Sequence, residues 1–151
     1  MTKENTLAVN PLPSPTWNRL HMNETTVTLP PLDGPCKADW SGAEVTTAPA
    51  PATEVYTGMG QEAEAAFASL ETDRITAKAN TDTTARLTLC ADGAKNARRV
   101  ELTAEANSHL TVVMDLQSTA DAPCLALETR VELDPGAKVR VVQLSLPVTE
   151  C

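Results

Sequence analysis

From Arg74 to the end of the chain, apolar and polar residues alternate with a period of two. Ile75 and Ala77 begin the pattern, and Leu87 and Leu89 continue it. Val100, Leu102 and Ala104 follow, then Leu110, Val112 and Met114. A longer series runs through Leu125, Leu127, Thr129, Val131 and Leu133, and Val139 and Val141 close it. Successive side chains of a strand point to opposite faces, so each set predicts a strand with one face buried. Turn-forming residues separate the sets: Asn80-Thr81-Asp82, Asp92-Gly93, Asn107-Ser108 and Asp134-Pro135-Gly136.

Upstream the pattern changes twice. GQEAEAAFASLET at 60–72 places Ala63, Phe67 and Leu70 on one face at helical spacing. Glu62 and Glu64 lie in its first turn, where acid complements the helix dipole. Before it, proline dominates in NPLPSPT (10–16), LPPLDGPC (29–36) and APAPA (48–52). Proline has no amide donor and fixes φ, so this part is expected to carry neither long helices nor central strands. It reads as an extended arm anchored by Trp17, Leu20 and Met22. Three regions result: a Pro-rich arm and linker over 1–53, a short helical segment over 54–73, and the strand-rich part over 74–151.

The strands resemble one another. ITAKAN at 75–80 matches LTAEAN at 102–107, and RVELTAEANSHLTVV at 99–113 matches RVELDPGAKVRVV at 130–142 with two residues gapped. Steps of 27 and 31 residues suggest a repeat architecture, in which each coil buries its apolar face against its neighbours. A mainly β fold built as a right-handed parallel β-helix (solenoid) is therefore expected, with a β-sandwich as the alternative.

Composition narrows the function. Only four residues are aromatic, so the core is not built on large rings. Net charge is −8, with no basic face for nucleic acid. No apolar run is long enough to span a membrane, and Met1–Asn10 carries no apolar signal segment. A cytoplasmic protein is the expectation, and with it unpaired thiols at Cys36, Cys90, Cys124 and Cys151. Their spacing is wide and lacks the close ligand pairs of a structural zinc site. Neither His21 nor His109 sits in a metal-ligand spacing, and no GxSxG elbow is present. Thr57-Gly58-Met59-Gly60 precedes the helix, but no Lys-Ser/Thr follows, so it reads as a tight turn and not a phosphate cradle. Glu101 with Glu105 and Glu128 with Glu132 read as a solvated face. No catalytic, cofactor-binding or metal-binding residue is assigned, and the chain is not expected to be an enzyme.

Three stretches resemble the SufB/SufD family of iron–sulfur cluster assembly proteins. They are PTWNRLHMNETTVTLP at 15–30, EVYTGMGQEAEAAF at 54–67, and VELTAEANSHLTVVMDLQS at 100–118 with ETRVELDPGAKVRVVQLSL at 128–146. The resemblance implies the N-terminal part of such a protein, with its strands forming the first coils of a right-handed parallel β-helix. It implies a scaffold working with a SufC-like ABC ATPase and a SufB/SufD-like partner; the alternative is a β-rich protein-interaction module with no cluster role. An iron–sulfur cluster would belong to the full complex and not to this chain alone. Family members run far past 151 residues, and the cysteine, the histidine and the helical ATPase dock implicated in assembly lie beyond this length. No residue here inherits those roles. A stack cut after about three coils exposes unpaired strand edges, so self-association through that end, or a cap formed by the arm or helix, is expected.

Overall fold

The computed structural model describes residues 5–9, 25–30, 32, 34–49, 61–68, 70–93, 95–122 and 124–151. The anchors Trp17, Leu20 and Met22, together with His21 and the Gly58-Met59-Gly60 stretch, lie outside them. The fold is mainly β. β1 (Asn5–Val9) and β2 (Thr25–Leu29) pair antiparallel as a separate two-stranded sheet. The remaining strands are β3 (Lys37–Ser41), β4 (Thr46–Ala48), β5 (Thr72–Ala77), β6 (Asp82–Ala91), β7 (Ala97–Ala104), β8 (His109–Ser118), β9 (Ala126–Leu133) and β10 (Lys138–Pro147). They form two four-stranded mixed sheets, ordered β4-β5-β7-β9 and β3-β6-β8-β10.

Successive strands from β5 onward alternate between the two sheets. Within each sheet the pairing is parallel and in register. Ile75 faces Leu102 and Leu102 faces Val131, while Leu87 faces Met114 and Met114 faces Gln143. A Greek-key sandwich would pair antiparallel here. In these two sheets only β3 and β4 pair antiparallel, with β6 and β5, and both are edge strands. Among the described residues the proline-rich region thus supplies strands, and only at sheet edges, where a missing amide donor does least harm.

The alternation decides which side chains meet. Ile75, Leu87, Leu89, Leu102, Leu110, Val112 and Met114 are fully buried between the sheets, packed with alanines and Cys36. The same four-residue corner joins β5 to β6, β7 to β8 and β9 to β10: Lys78–Thr81, Glu105–Ser108 and Asp134–Ala137. In each, the last amide donates to the first carbonyl at 3.0–3.1 Å. Asn80 and Asn107 have φ of 59° and 57°, and Gly136 has φ of 77°. A positive φ at the third position alone is the type II turn pattern, which Asn or Gly supplies and which Pro135 favours from the position before. The corners stack: the Asn80 amide donates to the Ala106 carbonyl, and the Asn107 amide to the Pro135 carbonyl. A Cβ on Gly136 would come within 2.3 Å of Asn107 Oδ1, so the third corner needs glycine for room as well as for φ.

Three expectations are corrected. The second repeat step is 29 residues, not 31, because Arg99 lies opposite Glu128 and not Arg130. The corners need no gap. The two extra residues sit in the other connection, Thr119–Leu125 against Asp92–Asn96. A slip of two keeps every side chain on its face, which is why the alternation could not reveal it. The helix α1 is Gln61–Ala68, shorter than 60–72, because Thr72 and Asp73 are taken into β5. The repeating strands therefore begin at Thr72 rather than Arg74. Finally, Cys90 and Cys151 are joined as a disulfide and are not free thiols.

Candidate functional site

The two ends of the strand stack differ. At the first end, β3 lies antiparallel along β6, with Ala38 opposite Leu89 and Trp40 opposite Leu87. Beneath this cover, Asp73 is fully buried and gathers donors from three elements. The Arg98 guanidinium gives Nε to Oδ2 at 2.9 Å and Nη2 to Oδ1 at 2.6 Å. Trp40 Nε1 donates to Oδ2 and the Thr47 hydroxyl to Oδ1, both at 2.9 Å. The pairing satisfies a charge that burial alone would make very costly. It also ties β3 and β4 to β5 and β7, so the cover is held by charge as well as by its ladder.

At the other end nothing among the described residues lies on β9 or β10, which are the outer strands of their sheets. Val131 and Leu133 stand in register with the buried Leu102 and Ala104, yet are 48% and 53% exposed. Val141 is in register with the buried Val112 and is also exposed. These are core positions without a next layer. On the outer face of β10, Val142, Leu144 and Leu146 are exposed as well. The charges of these strands, Glu128, Arg130, Glu132, Lys138 and Arg140, all lie on the outer faces, so the inward side of each edge is unprotected. The inward row of Leu127, Thr129, Val131, Leu133, Val139 and Val141 contains no charge, and no proline interrupts either strand before Pro147.

The acidic residues read as a solvated face are mostly engaged. Glu101 accepts from Arg74 Nε at 2.5 Å, and Glu128 accepts from Arg99 Nε at 2.7 Å and Arg130 Nε at 2.6 Å. Arg99 and Glu128 are largely buried, on the side of β7 that α1 contacts. Glu105 bonds Lys78 and the Ala79 amide, which hold its carboxyl below the ordinary value. Glu132 alone of the four is exposed without such a partner shown. The missed signal was arginine at the cross-strand position, legible only once the register is known.

Among the described residues, no group of three His, Cys, Asp or Glu is placed to hold a metal. His109 is half exposed, with Nδ1 3.1 Å from Asp82 Oδ1. The thiols do not form a cradle for an iron–sulfur cluster. Cys90 and Cys151 are bonded to each other, Cys36 is in the core, and Cys124 accepts a 3.6 Å contact from the Asn96 amide. The Cys90–Cys151 strap has its own geometry. Cys90, Gln117 and Leu146 form one register row across three strands, and the last four residues run back over that row from β10 to β6. The Val148 amide bonds the Ser118 carbonyl on the way, at 3.0 Å.

Compared with family models, curated proteins and solved structures, the chain matches none. What it does must therefore be argued from its own surfaces. No helix among the described residues is long and apolar enough to cross a membrane.

Burial gives one thiol a measurable signature. It pushes the Cys36 thiol from the ordinary 9.0 up to about 11, against the lowering pull of Arg98. In the unfolded chain this thiol ionises near 9. Between about pH 9 and pH 11 only the unfolded state loses the proton, so stability is complete below pH 9 and falls as pH rises. Urea unfolding across this range is expected to show that slope, and Cys36→Ala to flatten it. An unchanged slope in the variant would place the effect elsewhere.

Proposed function

We propose that this chain is a non-catalytic docking scaffold, a right-handed parallel β-helix whose uncovered last coil is its binding face. The observation that carries the reading is the exposure of Val131, Leu133 and Val141 at positions that are buried in the preceding coil. Apolar residues and unpaired strand edges together form a surface that folded proteins ordinarily cover. The helical-solenoid part is supported by parallel in-register stacking in both sheets and by the repeated four-residue corner. Its right hand follows from the strong preference of parallel crossovers.

The reading is tested with a photo-crosslinking residue placed at Leu133 on the uncovered end, and separately at Lys95 in a connection on another side. Covalent protein adducts in cells are expected at 133 and not at 95. Equal yields at both sites, or none at 133, would overturn it.

A narrower form of the reading is an iron–sulfur assembly scaffold of the SufB/SufD kind, acting with a SufC-like ABC ATPase. What favours it is the parallel stacking, the arrangement that the sequence resemblance implies. Mixing the chain with such an ATPase and measuring co-elution tests it directly, and separate elution would reject it. The strap bears on location. Disulfides persist in oxidising compartments and open against cytosolic glutathione, so a cytoplasmic home would hold Cys90 and Cys151 reduced.

A further inference from the structure

Resting on the docking reading, we infer that the occupant of the uncovered coil end is a second copy of this chain, bound end to end about a two-fold axis. In this dimer β9 of each copy lies antiparallel along β10 of the other.

β9 and β10 have 8 and 10 residues, roughly 26 and 33 Å of strand. The corner between them has four residues and spans at most about 17 Å. Two long strands joined by so short a corner, facing one core, run in roughly opposite directions. A two-fold axis parallel to the strands then sets β9 over the partner copy's β10 with the two antiparallel. The reverse pair forms at the same time, and both open edges close at once. The molecule already ends its other side this way, with antiparallel β3 and β4 laid along the first coil.

The side chains choose the register. Leu133 and Lys138 flank the corner and stand at similar levels, which leaves two registers that keep inward residues facing inward. One sets Arg130 against Arg140. The other sets Glu132 against Arg140, Val131 against Val141, Leu133 against Val139, and Thr129 against Gln143. In that second register apolar meets apolar, polar meets polar, and acid meets base, each twice by symmetry. The alternative two-fold, which lays each strand on its own counterpart, sets Arg140 against Arg140 when centred on Val131. The free charge of Glu132 and the absence of charge from the inward rows of β9 and β10 both fit the crossed arrangement.

Light scattering on the full chain, across concentrations from about 1 μM to 1 mM, tests the inference. The expected mass is twice the 16.0 kDa of one chain. Glu132→Lys and Arg140→Glu are each expected to weaken the dimer at least about tenfold, since like charges then face each other at both symmetric contacts. The double variant restores it. Both positions are exposed on the last coil, and circular dichroism checks that each variant folds. A monomer throughout would overturn the inference, as would a dimer indifferent to either charge reversal. If the chain stays monomeric while the crosslinker at 133 still captures another protein, the end-to-end dimer fails and the docking face stands.

Discussion

Reducing the Cys90–Cys151 disulfide is expected to lower the stability of the chain by about 4 kcal/mol. The bond closes a loop with a sequence separation of 61, and removing it returns that loop's freedom to the unfolded state. For a chain of this length the loss corresponds to roughly ten degrees in Tm. The native fold itself keeps its ladders, because only four residues beyond β10 form the strap. Urea unfolding of the oxidised protein, the reduced protein and Cys151→Ser checks the effect. The last two should coincide, and reductant should do nothing further to the serine variant. An unfolding midpoint indifferent to reductant would mean that the strap adds nothing the ladders do not already provide.

The second large effect is expected at Asp73. Asp73→Ala leaves the Arg98 guanidinium largely buried without its counter-charge, and strips Trp40 and Thr47 of their acceptor. Breaking a buried pair from one side costs about 3–5 kcal/mol. Removing both charges is a different perturbation. Asp73→Leu with Arg98→Met exchanges the pair for apolar packing and is expected to recover most of the loss. Hydrogen exchange distinguishes a local from a global effect. In Asp73→Ala the amides of β3 and β4 should lose protection before those of β7 and β8, because the carboxylate is what fastens the cover to β5 and β7. Uniform loss of protection would show that the network supports the whole core instead.

Much of this fold could be read from the chain. Strands need alternation, and the alternation from Ile75 to Val141 located every strand from β6 to β10. Asn80, Asn107 and Pro135-Gly136 were legible as corners because left-handed φ restricts the choice of residue. The register of β9 and β10 was not. A two-residue slip preserves the inward and outward pattern, so only the backbone pairing could choose between 29 and 31. Long-range polar chemistry was hidden for a related reason. Asp73 and Arg98 are 25 residues apart and look like ordinary strand charges until β5 and β7 are set side by side. The disulfide was discounted from the absence of a secretory segment, a statement about compartment that carries no information on distance. The apolar rows of β9 and β10 are legible in the alternation, and their exposure is not. The cover at the opposite end was not expected, because a proline-rich stretch gives no period to read.

The two kinds of connection divide the molecule into a ruled margin and a free one. On the ruled margin each corner is four residues long and hydrogen-bonds to the next, so an insertion in one corner would break its stacking with the others. On the free margin the connections already differ in length by two residues without disturbing the register on either side. Added sequence, whether an affinity tag, a reporter or a grafted epitope, is therefore tolerated between Thr119 and Leu125 and rejected between Glu105 and Ser108. Length variation among strand pairs of this design accumulates along one edge, like the unjustified side of a printed column.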